Sequence, residues 1–426
     1  MEQFRVEGGR PIGGEMTPAG NKNEALPCLA AGLLSDAPVI LDNLPDVSDI
    51  RTMIGLLVHA GATVERPDPH RCIVHACGTG DPAREPAKAI RGSFLLAGPL
   101  LARRGEVRLP TPGGDRIGRR RIDTHLLAFR ALGADVTVGA GEYLLRAPNG
   151  LQGTDLFLDE ASVMGTENAI MAAVLARGTT RIANAASEPH VQGLCQLLRA
   201  MGAEIHGIGT NRLEIHGVDA LGGATHRLGP DHIEVGSFIG LAAATGGALT
   251  IRGAGVDHLA MIRLGYARLG IAFEIEGEDV HVPAQQALAI VDDVGGLVPT
   301  LDDAPWPGFP ADLTSIMVVV ATQARGTILI HEKMFESRLF FVDRLQTMGA
   351  RIILCDPHRA VVIGPTPLAG ATISSPDIRA GMALVIAALT ARGESVIQNV
   401  RQIDRGYERI DERLRALGAR IERVPA

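Results

Sequence analysis

Ala416-Leu417-Gly418-Ala419 closes an amphipathic stretch that begins near Tyr407 and opens another, Ala419 to Val424, in which apolar and polar residues alternate. The first stretch has the period of a surface helix and the second that of a strand, with glycine as the stop between them. Near-copies stand at His59-Ala60-Gly61-Ala62, Ala131-Leu132-Gly133-Ala134, Ala200-Met201-Gly202-Ala203, Arg268-Leu269-Gly270-Ile271 and Thr347-Met348-Gly349-Ala350. From glycine to glycine the steps are 72, 69, 68, 79 and 69 residues in a chain of 426. The chain is therefore one supersecondary unit of about 70 residues written six times.

At 46% hydrophobic and 21% charged residues, the chain is too apolar to be disordered and long enough for two cores. Six units then divide into two domains of three, residues 21–229 and residues 1–20 with 230–426. A net charge of -7 and 3% aromatic residues offer neither a phosphate-tracking surface nor stacking platforms, so nucleic acid is not expected as a partner. The five cysteines (Cys28, Cys72, Cys77, Cys195, Cys355) form no CxxC or Cys/His pattern, and the thirteen histidines show no HExxH. A reduced compartment and no metal follow. Met1 to Glu7 has no apolar leader core, and the apolar run Ala380 to Ala391 is far short of the ~20 residues that cross a bilayer. The expectation is a soluble, cytoplasmic protein with no membrane partner.

The last copy shows the unit most clearly. Pro376-Asp377-Ile378-Arg379 opens an almost uniformly apolar helix, Ala380 to Ala391, closed by Arg392-Gly393. A strand, Ser395 to Val400, follows; Asp404 leads into a helix, Tyr407 to Leu417, and then comes the strand Ala419 to Val424. The counterparts of the apolar helix are Glu24 to Leu34, Ser93 to Ala102, Ala169 to Ala176, Val235 to Ala244 and Thr314 to Ala321. A helix apolar all round must be buried on every side, whereas an alternating strand needs one covered face. Three central helices wrapped by sheets follow, twice over. A doubly wound parallel sheet would need a GxGxxG turn, and neither Gly253-Ala254-Gly255 nor Gly139-Ala140-Gly141 has the third glycine.

Repetition puts equivalent positions on equivalent faces, so the starts of the six apolar helices are expected to converge on one cleft. In order they are Lys22-Asn23, Arg91, Ser162 with Thr166-Glu167-Asn168, Asp231-His232-Ile233-Glu234, Asp312 and Arg379. Helix N-termini attract anions, and basic residues there oppose the dipole. Three such residues at equivalent positions point to a polyanionic small ligand. The loops add Thr111-Pro112-Gly113-Gly114-Asp115-Arg116-Ile117-Gly118-Arg119-Arg120-Arg121, with one carboxylate at its tip and arginines behind it, and Trp306-Pro307-Gly308-Phe309-Pro310-Ala311-Asp312. Asp312 fits a helix cap and a general base equally.

Gly20-Asn21-Lys22-Asn23-Glu24-Ala25-Leu26-Pro27, the loop from Pro112 through Asp123, Phe309-Pro310-Ala311-Asp312, Phe335-Glu336-Ser337-Arg338 and Ile403-Asp404-Arg405-Gly406-Tyr407-Glu408-Arg409 resemble, in order and register, the enolpyruvyl transferase family over essentially the whole chain. The resemblance implies an α/β fold of two inside-out α/β barrels, each of three repeated units. It also implies transfer of enolpyruvyl from phosphoenolpyruvate to the 3′-hydroxyl of UDP-N-acetylglucosamine, the first committed step of peptidoglycan precursor synthesis, with no cofactor and no metal. By position, Lys22, Arg120 and Arg405 match phosphate-binding residues and Arg338 and Arg379 those near the phosphoenolpyruvate carboxylate. Asp312 matches the base on the sugar hydroxyl. Asn23, Arg91, Arg120, Arg121, Ile122, Asp123, Thr124, Ser162, Val163 and Met334 match positions lining the UDP-sugar, and Asn23 also adjoins the phosphoenolpyruvate site.

Three positions depart from the family's pattern. Asp115 stands where most members carry a loop cysteine; a carboxylic acid can shuttle a proton but is the poorer nucleophile. The resemblance therefore implies no thioether with phosphoenolpyruvate and no alkylation by the epoxide fosfomycin. Glu160 replaces a frequent lysine near the diphosphate, with Met164 as a one-residue insertion after it, and His232 replaces a frequent arginine. The rival readings are the sister enzyme acting on shikimate 3-phosphate, which would need Lys-Ser at the first helix where this chain has Lys22-Asn23, and a silent UDP-sugar-binding paralogue, against which the ionisable Lys22, Asp115, Asp312 and Arg405 argue.

Overall fold

The computed structural model describes residues 2–78, 80–115 and 117–426. By contact, the described residues of 1–19, 116–119 and 230–426 form one compact unit and those of 20–115 and 120–229 the other. Each unit has its own hydrophobic core.

The centre of the first of these units is three helices that pack pairwise, His232–Thr245, Thr314–Ala321 and Ile378–Thr390. Every residue of Thr314–Ala321 is buried, as is every residue from Ile378 to Leu389, as helices apolar all round require. The other unit centres on Lys22–Ala31, Ala97–Arg104 and Val163–Ala173. The expected helix Ser93 to Ala102 is instead a 3-10 stretch, Arg91–Leu96, running into Ala97–Arg104. Pro99 has no N–H to give to the preceding turn, so it is accommodated only where an α-helix starts.

The sheets lie outside the helices. The fifth repeat shows their pattern: Thr300–Asp302 pairs parallel with Gly326–His331, which pairs antiparallel with Arg359–Gly364, which pairs antiparallel with Arg351–Asp356. Inward residues such as Ile328 and Ile330 are fully buried while their neighbours are half-buried. Three sheets recruit a strand from a distant segment. Gly14–Met16 pairs with Leu249–Ile251, and Ala224–Arg227 with Val39–Asp42. Glu2–Glu7 lies between Glu394–Gln398 and Arg420–Pro425, antiparallel to both.

All six marker glycines have positive φ: 99° at Gly61, 92° at Gly133, 105° at Gly202, 75° at Gly270, 99° at Gly349 and 93° at Gly418. In each copy the residue after glycine donates its N–H to a carbonyl five residues back, Ala62 to Leu57, Ala134 to Phe129, Ala203 to Leu198, Ile271 to Tyr266, Ala350 to Leu345 and Ala419 to Leu414. Both residues of every such pair are buried. This is a Schellman stop with its apolar contact, and it is the physical content of the repeated sequence step.

The last repeat departs from expectation at its second helix. The sequence pattern predicts one continuous helix from Tyr407 to Leu417, but the structure has a 3-10 stretch, Val400–Arg405, and a helix confined to Ile410–Ala416. Tyr407 turns its ring into the core to meet Ser237 Oγ at 2.9 Å, and Arg409 takes a left-handed φ of 42°. Asp404 does not lead a helix but holds Arg423 through both carboxylate oxygens, at 2.8 and 2.9 Å.

Candidate active site

In the unit built from residues 20–229, Asn21 caps Lys22–Ala31 by accepting from the N–H groups of Asn23 and Glu24. The cap fixes the backbone at Lys22, whose ammonium reaches Asp49 Oδ2 at 3.2 Å, both side chains under 10% exposed. Burial makes the pair mutually dependent, since either charge alone would lie in a dry site. Asn23 beside them is half-buried. Glu24 points away, accepting from His226 Nε2 at 2.8 Å and from the Gly229 N–H at 3.1 Å.

The glycine loop is shaped by close approach. A Cβ on Gly113 would stand 2.0 Å from the Lys88 carbonyl oxygen, and Gly114 has φ 105°. Asp115 follows, half-buried. Arg91 holds the returning strand of the loop, its Nη2 donating to the carbonyls of Arg120 at 2.9 Å and Arg121 at 2.7 Å. Burial pulls the Arg91 guanidinium down to about 10, helped by Arg120, and leaves it charged at neutral pH. Arg121 reaches Asp159 Oδ2 at 2.6 Å and lies 3.5 Å from both Asp123 and Glu160. Thr124, fully buried, donates to Asp159 Oδ1 at 2.7 Å. Ile122 is buried and Asp123 exposed. Ser162 caps Val163–Ala173 through Gly165, and Val163 packs half-buried against the core. Glu160 is thus part of an acidic group gathered on Arg121.

In the other unit Asp312 sits in a 3-10 turn, Ala311–Leu313, ahead of Thr314–Ala321. Its Oδ1 accepts from Arg338 Nη2 at 3.0 Å and its Oδ2 from Arg379 Nε at 3.0 Å. The arginines are 3% and 6% exposed and Asp312 is 27% exposed, so the carboxylate is the member of the cluster that solvent reaches. Burial works against the charge of both arginines, yet the attraction of Asp312, joined by Glu332 at Arg338 and by Tyr407 at Arg379, raises both above the ordinary value. Asp377 caps the helix that Arg379 opens, accepting from the N–H groups of Arg379 and Ala380. Arg379 also lies over the Tyr407 ring, 5.5 Å from its centroid.

Behind Arg338 lies Glu332, fully buried, with Oε2 3.6 Å from Arg338 Nε. Burial pushes its carboxyl up to about 9 despite Arg338, and Asp303 adds to the rise. Asp303 accepts from the N–H groups of Lys333 and Met334 and so fixes the segment carrying half-buried Met334. Arg405, half-buried, donates to Gln402 Oε1 at 3.0 Å. His232 is buried, with its ring 6.0 Å from Trp306 and 6.3 Å from His258, and burial, helped by His258, lowers it to about 3. A neutral ring therefore stands at the fourth helix entrance.

Sequence reasoning passed over Asp49, Asp159, Asp303 and Glu332. The first three stand in none of the motifs quoted above. Glu332 had a signal: period two carries the inward face from Ile328 through Ile330 to position 332, where a carboxyl falls at an apolar position. Among the described residues the groups with metal-ligand geometry are Glu24, Cys28 and His226, and Glu204, His206 and His216; neither contains a residue of the candidate site.

The profile of the family described as EPSP synthase (3-phosphoshikimate 1-carboxyvinyltransferase) matches residues 6–414. The UDP-N-acetylglucosamine 1-carboxyvinyltransferase of Bradyrhizobium diazoefficiens is 57% identical over 99% of this chain and 98% of its own. The chain belongs to the enolpyruvyl transferase family. The enzyme of the same description from Treponema denticola is 53% identical over 99% of both chains. The crystal structure of the enolpyruvyl transferase NikO from Streptomyces tendae, 24% identical, superposes with a TM-score of 0.87 over 100% of this chain and 99% of that one. The family fold is two inside-out α/β barrels, in keeping with the helices inside and sheets outside each unit here. As an enolpyruvyl transferase, the chain is an enzyme.

Proposed function

We propose that this enolpyruvyl transferase moves the enolpyruvyl group of phosphoenolpyruvate onto the 3′-hydroxyl of UDP-N-acetylglucosamine, releasing phosphate, in the synthesis of peptidoglycan precursors in the cytoplasm. The observation that carries the reading is Asp312 held between Arg338 and Arg379, in a chain more than half identical over its whole length to relatives named for that activity.

Chemically the reaction needs an acid for carbon, a base for the hydroxyl, and cations for phosphate and carboxylate. Asp115 gives a proton to the phosphoenolpyruvate methylene, and the sugar oxygen bonds to the adjacent cationic carbon while Asp312 takes the hydroxyl proton. The resulting tetrahedral ketal returns a methyl proton to the Asp115 carboxylate and expels phosphate, which takes up the proton held by Asp312, and the double bond is restored. Lys22, Arg120 and Arg405 hold the phosphate, Asn23 adjoins it, and Arg338 and Arg379 hold the carboxylate. Arg91, Arg121, Ile122, Asp123, Thr124, Ser162, Val163 and Met334 line the UDP-sugar. An incoming carboxylate competes with Asp312 for the two guanidiniums; as they turn to the substrate, Asp312 loses part of their stabilisation and becomes the stronger base.

Phosphate release is the test. Rapid release with phosphoenolpyruvate plus UDP-N-acetylglucosamine, and none with shikimate 3-phosphate in its place, is expected. The opposite preference would assign the chain to the sister reaction, and release with neither would make it a silent paralogue. Lys22-Asn23 in place of Lys-Ser favours the first outcome.

A further inference from the structure

The outer face of the third repeat's sheet carries a cluster that the transfer reaction does not use. Glu204–His206 and Arg212–His216 pair antiparallel, with Glu204 opposite His216 and His206 opposite Glu214. Period two puts all four side chains on one face of the hairpin. A single carboxylate oxygen, Glu204 Oε1, lies 3.3 Å from His206 Nε2 and 3.9 Å from His216 Nε2. Glu214 Oε1 lies 3.1 Å from His216 Nε2. The two imidazole rings meet edge to face, 5.7 Å apart.

These separations are those of ligands around a small divalent ion. Bonds of about 2.0 to 2.1 Å in a tetrahedral shell set neighbouring donor atoms about 3.3 Å apart. Donor atoms of Glu204, His206 and His216 already lie within 4.8 Å of one another, so closing on an ion takes side-chain rotation and leaves the strand pairing intact. Thr179 Oγ1 stands 3.0 Å from His216 Nδ1, where it can accept that proton and leave Nε2 free to ligate. Arg181 holds Glu214 Oε2 at 2.7 Å, which makes Glu214 the weakest donor of the four.

We propose that Glu204, His206 and His216 form a divalent transition-metal site, with Glu214 or water as the fourth ligand. Two imidazoles with carboxylate favour zinc, cobalt, nickel or copper over magnesium or calcium. The ion would link the two strands of the hairpin and stabilise that unit.

Cobalt(II) is the probe, titrated into the full chain and then displaced with zinc. The exposed Cys77 and Cys355 are first changed to serine, since Cys77 Sγ lies 3.3 Å from His75 Nδ1 and offers a rival site. One equivalent of cobalt with a visible band and no thiolate charge-transfer band is expected. His206→Gln and His216→Gln should each weaken binding at least tenfold, and Thr179→Val on the order of tenfold. Zinc should raise the melting temperature of the parent and not of the histidine variants, whose circular dichroism reports that they fold. No cobalt uptake by the parent, or uptake unchanged in His216→Gln, would overturn the proposal.

Discussion

Arg379 Nε and Nη2 both reach Asp312 Oδ2, at 3.0 and 2.9 Å, so the residue opening one central helix holds the residue standing before another. Repetition brings these starts together, and the chemistry lies in their difference, a carboxylate at one and a guanidinium at the other. Asp312→Asn keeps the shape and removes the proton acceptor. Its kcat should fall on the order of 10²- to 10⁴-fold. Steady-state phosphate release measures this, and a loss under tenfold would remove Asp312 from the role of base.

Asp115 is a carboxylate in a position where thioether formation needs a thiolate. Fosfomycin should leave the protein active and add no mass to the loop peptide, whereas Asp115→Cys should be inactivated with time and gain the mass of the drug. Inactivation of the parent chain with a modified loop peptide would falsify this.

Lys22 owes its position to Asp49, 3.2 Å away. Asp49→Asn should raise the KM for phosphoenolpyruvate several-fold while the KM for UDP-N-acetylglucosamine changes little, because the ammonium loses the partner that aims it. Equal changes in both constants would mean that the pair is structural only.

Glu332 binds its proton more tightly in the folded chain than in the unfolded one. Between the ordinary 4.5 and about 9 the native state holds a proton that the unfolded state has released, so its contribution is full at low pH and declines across that window. Glu332→Gln keeps a neutral side chain throughout. The melting temperature of the variant minus that of the parent should therefore rise as pH increases from 5 to about 9, and a flat difference would show that Glu332 is ionised when folded.

Gly202 and Gly418 have φ of 105° and 93°, and an added Cβ on either would touch nothing within 4 Å. Alanine at either position should destabilise by about 1 to 2 kcal/mol through backbone conformation alone, and asparagine by less. Urea unfolding measures both, and alanine variants as stable as the parent would mean that the left-handed stop is dispensable.

The repeat was legible in the sequence because one short signal, a left-handed stop with an apolar residue on each side, recurs at every junction where a helix yields to a strand. The central helices were legible because burial on all sides leaves no polar stripe. What escaped was pairing between residues far apart in the chain. Nothing local in Ser48-Asp49-Ile50 tells that Asp49 meets Lys22, and nothing in Val400 to Arg409 tells that Tyr407 leaves the helix to meet Ser237. The charge of Arg91 at a helix entrance was legible, while the two carbonyls it holds were not. The match to the relatives carried the assignment of substrate, which charge pattern alone left at a polyanion.

The strand Glu2–Glu7 has consequences for how the molecule is made. It is translated long before either of its neighbours, Glu394–Gln398 and Arg420–Pro425. The unit of residues 20–229 has all its strands in hand by mid-synthesis and can close while translation continues, whereas Glu2–Glu7 must wait as an unpaired β segment until Glu394–Gln398 and Arg420–Pro425 are made. Its alternation of charged and apolar side chains, Glu2, Arg5 and Glu7 around Phe4 and Val6, keeps that waiting strand from pairing with the wrong edge.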